Sequence, residues 1–232
     1  MTEKQINISA YRYEKKFFIT NLDKYEVENL VKIHPYHFSE IYHERYINNI
    51  YFDSIKWRFL HDNLEGATER TKVRIRWYGE MFGYVEKPTL EIKNKTGSVG
   101  NKISMPISPF DLSQRTEFRE IIESLDSKKD KLKIDFKSLL PAILSGYSRK
   151  YYISNDGKYR ITIDTNQIFY KINYSKNTFL EKYNDSNSVI LEMKYNTADH
   201  DFSEGITSKF PFRITKSSKY VNGLEKIFRV VF

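Results

Sequence analysis

Basic side chains occupy every second position of a short segment in the first third of the chain. Lys72, Arg74 and Arg76 alternate there with apolar residues. Because successive side chains of a β-strand point to opposite faces, a strand over this segment would have one basic face and one apolar face. Like charges gathered on one sheet face repel each other, so the pattern predicts a polyanionic ligand. A similar alternation follows at Leu90–Lys95.

The composition limits the kinds of partner and site. The chain has 232 residues, a net charge of +8 and a pI near 9.3, which favours nucleic acid, nucleotides, polyphosphate or an anionic membrane surface. It has no cysteine, which excludes disulfides, thiolate zinc sites and cysteine nucleophiles. Hydrophobic residues make up 40%, enough for the core of the one domain that we expect over residues 1–232. No apolar run approaches the ~18 residues of a membrane span, so we expect a soluble, cytoplasmic protein.

Periodicity and turn signals predict an α+β chain dominated by a large antiparallel sheet. Strands are predicted at 11–19, 41–53, 70–79, 84–96, 102–106, 147–154, 159–165, 167–173 and 189–195. Helices are predicted at 20–33, 55–64, 110–126, 201–209 and 217–230, and a turn at 97–100.

The charged residues of several predicted strands share one face. They are Arg12, Glu14 and Lys16; Lys72, Arg74 and Arg76; Glu91, Lys93 and Lys95; Arg160 and Asp164; and Glu192 and Lys194. One interpretation is an ordinary antiparallel sheet with a solvated face. The other is a closed barrel whose charged faces point inward and whose apolar faces are covered by helices. Its interior would hold anions, with Arg and Lys binding phosphate and carboxylates such as Glu14 and Glu192 holding a divalent metal.

These segments resemble a known family. Eight of them occur in the order typical of the VTC (vacuolar transporter chaperone) polyphosphate polymerase domain, within the triphosphate tunnel metalloenzyme superfamily. They are Tyr13–Phe17, Ile50–Ser54, Lys72–Gly79, Leu90–Lys93, Tyr147–Arg149, Arg160–Asp164, Leu191–Lys194 and Lys216–Tyr220. The most specific are Arg-x-Arg-Trp-Tyr-Gly at 74–79 and Lys-x-x-Lys-Tyr at 216–220. The resemblance covers nearly the whole chain and implies an antiparallel β-barrel that forms a tunnel, with helices packed outside.

The same resemblance implies an activity, the transfer of the γ-phosphate of ATP to a growing polyphosphate chain with release of ADP and with Mn²⁺ or Mg²⁺ as the metal. It implies that Lys16, Arg74, Arg76, Lys93, Lys102, Arg149, Lys216 and Lys219 bind phosphate and that Glu192 binds the metal. The predicted catalytic residues among these are Lys16, Arg74, Arg76, Lys93 and Arg149. The shared strand face adds Lys72, Arg160 and Lys194 as phosphate-binding candidates and Glu14 as a metal ligand. The expected partners are ATP and polyphosphate or pyrophosphate, and a membrane partner outside this chain is a further candidate.

Two other functions would use the same residues. One is a tri- or polyphosphatase, with water as the acceptor in the same tunnel. The wider superfamily often begins with Glu-x-Glu-x-Lys, whereas Arg12 stands at the first position here, which favours the polymerase. The other is a non-catalytic module that binds polyphosphate or RNA. Modules that bind single-stranded RNA place aromatic residues among the basic ones, but Phe17 and Trp77 fall on the opposite face, so no nucleic acid is expected.

Overall fold

The computed structural model describes residues 7–97, 99–127 and 132–230; Ser98 of the predicted turn lies outside this range. The strands are β1 (Asn7–Ile19), β2 (Ser39–Ser54), β3 (Glu69–Tyr78), β4 (Gly83–Val85), β5 (Thr89–Thr96), β6 (Val99–Pro106), β7 (Phe110–Leu112), β8 (Leu139–Ile153), β9 (Arg160–Tyr170), β10 (Lys182–Asp185) and β11 (Val189–Asn196). The helices are α1 (Lys24–Lys32), α2 (Arg58–Leu64), α3 (Phe118–Asp126), α4 (Ser203–Thr207) and α5 (Lys219–Phe228). A search of the described helices for a membrane-spanning length of apolar residues finds none.

Eight antiparallel strands close into a barrel. Their order is β9-β11-β1-β6-β5-β3-β2-β8, and β8 also pairs with β9, which completes the ring. The strand β10 extends the sheet beyond β9, while β4 and β7 form a separate two-stranded sheet. Closure removes the exposed strand edges of the ring. The predicted antiparallel barrel with outer helices is therefore confirmed, and its interior is called the lumen below.

The two faces of the strands divide as the alternation predicts. Outward-facing residues of β1 and β11, such as Phe17 and Leu191, are fully buried in a cluster with Val27 and Val31 of α1. On the other side, Trp77 belongs to a cluster that contains Phe118 of α3. Burying an aliphatic or aromatic side chain of this size contributes ~1.5–3 kcal/mol each. Helices therefore cover the apolar face, and the charged face points inward; the solvated-sheet interpretation is wrong.

Two short polar motifs fix the helices nearest the barrel. Asp23 begins α1 with a capping box: its Oδ1 accepts from the backbone N–H of Tyr25 and Glu26, and Glu26 accepts from the backbone N–H of Asp23. Asp53, near the end of β2, binds backbone N–H groups of α2, although the N-cap residue of that helix is Trp57. Its carboxylate accepts from the backbone N–H groups of Phe59 and Leu60 at 2.9 Å each, which starts the helix at Arg58 rather than at the predicted residue 55.

Two predicted elements are wrong in part. The strand predicted at 84–96 is divided into β4 and β5 by residues 86–88, because Pro88 cannot donate a ladder hydrogen bond. The helix predicted at 110–126 begins only at Phe118. Its first residues, 110–112, form β7 because they pair with β4, a partner that helical periodicity in the sequence does not reveal.

Strand lengths also differ from the prediction. The strand predicted at 147–154 begins eight residues earlier, at Leu139 in β8. The strands predicted at 159–165 and 167–173 form the single strand β9, which continues past Asn166 although that residue has a φ of 50°. The longer strands complete the ring, because β8 pairs with β2 on one side and with β9 on the other.

Candidate functional site

The lumen contains a strongly basic cavity of about 300 Å³. Its basic lining residues are Arg12, Lys16, Lys72, Arg74, Arg76, Lys93, Lys102, Arg149, Lys194 and Lys219, against the carboxylates Glu14, Glu91 and Glu192. A second cavity of about 720 Å³ shares Glu14, Lys16, Lys72, Lys93 and Ser218 with the first. It adds Arg70, Lys95 and Lys216. Because the two cavities share these residues, they adjoin each other, and the second lies toward the end of the barrel where β3 begins.

One carboxylate, Glu91 of β5, orients three cations. Its Oε2 accepts from Nε and Nη2 of Arg74 at 2.8 and 2.6 Å and lies 3.5 Å from Nη1 of Arg76. Its Oε1 accepts from Nζ of Lys102 at 2.9 Å. Burial opposes ionisation of Glu91, but these three cations hold its pKa well below the ordinary value. Glu91 therefore stays charged and fixes the directions of both guanidinium groups.

A second buried carboxylate, Asp164 of β9, holds cations from two other elements. Arg149 of β8 donates to it through Nε and Nη2, at 2.5 and 2.7 Å, and Lys219 of α5 donates through Nζ at 2.5 Å. Burial opposes the charge of Asp164, yet Arg149 and Lys219 lower its pKa to about 2. The fork of Arg149 and the ammonium of Lys219 are thereby held at fixed positions in the lumen.

The remaining two lumen carboxylates lie on adjacent strands. Glu14 of β1 accepts from Nζ of Lys93 at 2.5 Å, and Glu192 of β11 lies 3.4 Å from Nζ of Lys194. Burial and the nearby Glu192 oppose ionisation of Glu14, but Lys194 and Lys93 reverse this and lower its pKa. Burial likewise opposes the charge of Glu192, whose pKa Lys194 and Lys16 hold well below the ordinary value.

These two carboxylates are the residues that could hold a metal. Within the described part of the chain, no group of three or more acidic or histidine side chains is arranged to hold a metal ion. Two carboxylates nevertheless suit Mg²⁺ or Mn²⁺ when substrate phosphates supply further oxygens, because Mg²⁺ is usually bound through one or two carboxylates together with phosphates. By donor chemistry, Glu14 and Glu192 are therefore the candidate ligands of a metal that arrives with its phosphate ligand.

Two lumen lysines contact the segment that leads into α5. Nζ of Lys16 donates to the backbone carbonyl of Ser217 at 3.2 Å, and Nζ of Lys72 donates to Oγ of Ser218 at 2.9 Å. Burial lowers the pKa of Lys72 well below its ordinary value, and the cations of Lys16 and Lys93 add to this effect. Both lysines line both cavities, so an anion that passes from one cavity to the other must pass them.

The helix α5 is anchored where it meets the barrel. The hydroxyl of Tyr220 donates to Oδ2 of Asp53, the same carboxylate that begins α2, at 2.5 Å. The ring of Tyr220 stacks on Tyr51 at 5.4 Å between centroids, and the Tyr51 hydroxyl accepts from Nη1 of Arg74 at 3.2 Å. Tyr220 itself lines the first cavity, so its contact with Asp53 fixes the neighbouring Lys219 at the wall of the lumen.

Tyr147 of β8 is a buried tyrosine among lumen cations. Its hydroxyl accepts from Nη2 of Arg76 at 3.3 Å, and Nζ of Lys219 lies 4.5 Å from the centre of its ring. Burial opposes ionisation of the phenol, but Arg149 and Arg76 lower its pKa to about 8. Tyr147 thus separates and orients cations that would otherwise repel each other directly.

The structure brings most of the predicted site residues together. All the predicted phosphate-binding and metal-binding residues except Lys216 and Arg160 line the first cavity. Lys216 is exposed and lines the second cavity. Arg160 does not line either of these two cavities: it is the first residue of β9 and is exposed. Arg160 lies on the strand face that the sequence predicts, but β9 begins there, at the rim of the barrel. We therefore do not include Arg160 in the site.

Several residues of the site are absent from the sequence prediction. They are Tyr51, Tyr147 and Ser218, which line the first cavity, and Asn49, whose Oδ1 accepts from Nε of Arg76 at 3.0 Å. A signal existed for Tyr147, since it lies two residues before Arg149 and therefore on the same face of the strand. Ser218 carries no such signal, because its contact with Lys72 joins residues 146 positions apart in the chain.

Comparison with known proteins identifies the family. The model of the VTC domain matches residues 11–228, which confirms the predicted family. No curated protein matches the chain significantly. Two similar solved structures are each described as a "putative adenylate cyclase". The one from Bacillus halodurans is 15% identical with a TM-score of 0.48, and covers 90% of this chain and 94% of its own. The one from Vibrio parahaemolyticus is 12% identical with a TM-score of 0.49, and covers 92% and 98%.

Proposed function

This chain belongs to the VTC domain family, and from that premise we propose that it is a polyphosphate polymerase. In the proposed reaction, a terminal phosphate oxygen of the chain attacks the γ-phosphorus of ATP. The bond between the γ-phosphorus and the β–γ bridging oxygen breaks, so ADP leaves and the chain grows by one phosphate. The attacking oxygen is already ionised near neutral pH, so the reaction requires positioning and charge neutralisation rather than a strong general base.

The observation that carries the proposal is the ordered set of cations inside a closed barrel. Arg74 and Arg76 present guanidinium forks that match phosphate oxygens, and Glu91 and Tyr51 fix their directions before any ligand binds. Donors that are already oriented lose little entropy when the charge of the transferring phosphoryl group develops. Arg74, Arg76 and Lys93 are assigned to the triphosphate on this basis.

The acceptor chain is assigned to the cations that face the second cavity or the start of α5. Lys16 and Lys216 line the second cavity, and Lys219 projects from the first turn of α5. An oligophosphate held there would extend from the first cavity toward the second, along the lysines that line both. This length of basic wall suits a chain of phosphates better than a single triphosphate, which supports a polymerase.

A divalent metal would be held by Glu14 and Glu192 together with phosphate oxygens. When bound, it would neutralise charge on the transferring group. Lys93 and Lys194 lie beside these carboxylates. When the metal occupies the carboxylates, the ammonium groups of the two lysines can bind phosphate instead. The same four side chains can thus bind either each other or a metal–phosphate ligand.

The test is incubation with ATP and Mn²⁺, followed by a gel for long polyphosphate and separate assays for ADP and orthophosphate. Polymer with an equivalent amount of ADP supports the proposal. Orthophosphate without polymer would identify a hydrolase, and binding without either product would identify a non-catalytic phosphate-binding module.

The first variant for this assay is Arg74→Ala. It removes one guanidinium group from the proposed triphosphate site, while Arg76 and Lys102 still neutralise Glu91, so the protein should remain folded. We expect the rate of polymer synthesis to fall ~100-fold or more. The matched control is Arg119→Ala, which removes an arginine that is 73% exposed on α3. Normal synthesis by the Arg74 variant would contradict the assignment, and thermal unfolding of both variants checks the fold.

A further inference from the structure

A cluster of three tyrosines surrounds one arginine at the other end of the barrel. The guanidinium carbon of Arg45 lies 4.4 Å from the ring centre of Tyr42, 5.5 Å from that of Tyr151 and 5.8 Å from that of Tyr78. The rings of Tyr42 and Tyr151 meet edge to face, 5.6 Å apart. Tyr78 belongs to the family segment Lys72–Gly79, whereas Tyr42, Arg45 and Tyr151 lie outside the family segments. None of the four lines the two basic cavities.

The register places the cluster next to the lumen cations. Arg45 of β2 is paired directly with Arg149 of β8, so the two side chains leave the same face of the sheet. Tyr78 is the last residue of β3 and shares a face with Arg76, two residues earlier. The cluster therefore lies at the mouth of the lumen, beside Arg76 and Arg149.

This mouth is opposite to the second cavity. Arg70, which lines the second cavity, is the second residue of β3, and Tyr78 is the last. At about 3.3 Å per residue, the two residues are ~26 Å apart along the strand. A ligand that reaches from Tyr78 toward Arg76 and Arg74 thus points its far end toward the two basic cavities.

The tyrosine rings of the cluster are accessible although they are large and apolar. Tyr42 is 50% exposed and Tyr78 is 54% exposed, whereas Tyr147, deeper on the same side of the barrel, is 1% exposed. The half-exposed rings hold Arg45 between them rather than filling a core. Nucleobases bind to such surfaces, because every base offers a flat π face that stacks on aromatic rings and on guanidinium planes.

We propose that Tyr42, Arg45 and Tyr78 form a nucleobase site, in which the adenine of ATP stacks on this cluster while its triphosphate extends to Arg76 and Arg149. The identification of the ligand as ATP rests on the proposed function. Stacking carries the specificity for a nucleotide over inorganic phosphate, since the lumen cations bind either. The site also determines the orientation of the ligands in the lumen. The nucleoside lies at the mouth beside Tyr78, and the polyphosphate extends toward Lys95 and Lys216.

The test measures binding rather than turnover, so it does not depend on polymer synthesis. Calorimetric titration with ATP and with inorganic tripolyphosphate is done on the full chain and on Tyr78→Ala and Tyr42→Ala. For each alanine variant we expect the Kd for ATP to rise about 5- to 100-fold, while that for tripolyphosphate stays within a factor of two, because one base–aromatic contact is lost. Tyr78→Phe, which keeps the ring, should retain ATP affinity, and Tyr84→Ala, at a tyrosine that is 71% exposed on β4, is the control for surface substitution.

The outcomes separate this proposal from the proposed function. Equal weakening of both ligands, or no weakening of either, would overturn the nucleobase site. Selective weakening of ATP in a protein that makes no polymer would support the nucleobase site and contradict the polymerase. Selective weakening in a protein that makes polymer supports both.

Discussion

At the scale of single residues, the lumen is built from carboxylates that each serve more than one cation. Glu91 contacts Arg74, Arg76 and Lys102, and Asp164 contacts Arg149 and Lys219. Carboxylates in this position do not contribute stability simply as ion pairs, because burial of both charges is costly. Their effect is to keep these cations in place in the absence of phosphate. Removal of such a carboxylate should therefore lower the free energy of unfolding more than removal of an exposed carboxylate does.

Asp164→Asn tests that argument. The change keeps the size of the side chain but leaves Arg149 and Lys219 without their shared negative charge, so we expect a loss of about 3–5 kcal/mol in the free energy of unfolding at pH 7. Urea denaturation measures it. Glu123→Gln, which removes an exposed partner of Arg119 on α3, should cost less than about 1 kcal/mol. Equal effects of the two changes would contradict the proposed role of Asp164.

The same variant has a predicted pH dependence. The pKa of Asp164 is lowered to about 2 in the folded protein, below the value of about 3.9 for an unfolded aspartate. Its stabilising effect is therefore complete above about pH 4 and disappears as the pH falls through about 2, an amount of about 2.6 kcal/mol. The stability difference between the native chain and the variant should shrink over this window. A stability difference between the two proteins that stays constant from pH 5 to pH 2 would contradict this pH dependence.

At the scale of elements, α5 both packs against the strands of the barrel and carries the lumen cation Lys219. The contact of Tyr220 with Asp53 fixes its first turn, and Gly223 lies against the barrel. A Cβ atom at Gly223 would lie 2.5 Å from Cδ1 of Phe169 and 2.7 Å from Cδ1 of Ile143. The helix can approach the sheet only because this position has no side chain.

Gly223→Ala should therefore destabilise the protein although alanine is the better helix former. The close contact should cost about 1–3 kcal/mol, which exceeds the helix-propensity gain of about 1 kcal/mol. Because the displaced helix carries Lys219, the Kd for tripolyphosphate should rise as well. Gly205→Ala in α4 is the matched control: nothing lies within 4 Å of its Cβ position, so it should be neutral or slightly stabilising. Urea denaturation and calorimetry report both effects, and a stable Gly223 variant with unchanged binding would refute this role of α5.

At the scale of the whole molecule, the closed barrel concentrates like charges that repel each other when no phosphate is bound. On β3 and β5, Arg70 is paired with Lys95 and Lys72 with Lys93, directly across the strands. Such pairs are destabilising. A polyanion in the lumen should offset this repulsion, so ligand binding and stability are expected to be closely linked.

Tripolyphosphate at 100 times its Kd should raise the free energy of unfolding by about 2.7 kcal/mol. For a chain of this length that corresponds to an increase in Tm of about 5–10 °C. Differential scanning calorimetry, with sodium chloride at matched ionic strength as the control, checks the prediction. The same increase with chloride alone would show that screening, and not a bound polyanion, stabilises the barrel.

The sequence by itself determined which faces of the strands are charged, because side chains alternate with a period of two wherever a strand forms. It also determined the family, because eight segments of characteristic residues follow one another in order. The helix predicted at 20–33 begins in the structure at Lys24, after the N-cap Asp23. Its capping box is a local signal that spans only four residues.

Only the tertiary structure decided which charged residues meet. Arg149 and Arg160 are both predicted to bind phosphate, yet Arg149 lines the lumen and Arg160 lies at the rim, because strand ends depend on pairing with distant segments. The contact of Lys72 with Ser218 and the pairing of β4 with β7 are long-range in the same sense. Periodicity fixes the direction of a side chain on its own strand, whereas its neighbours follow from closure of the barrel, which couples residues throughout the chain.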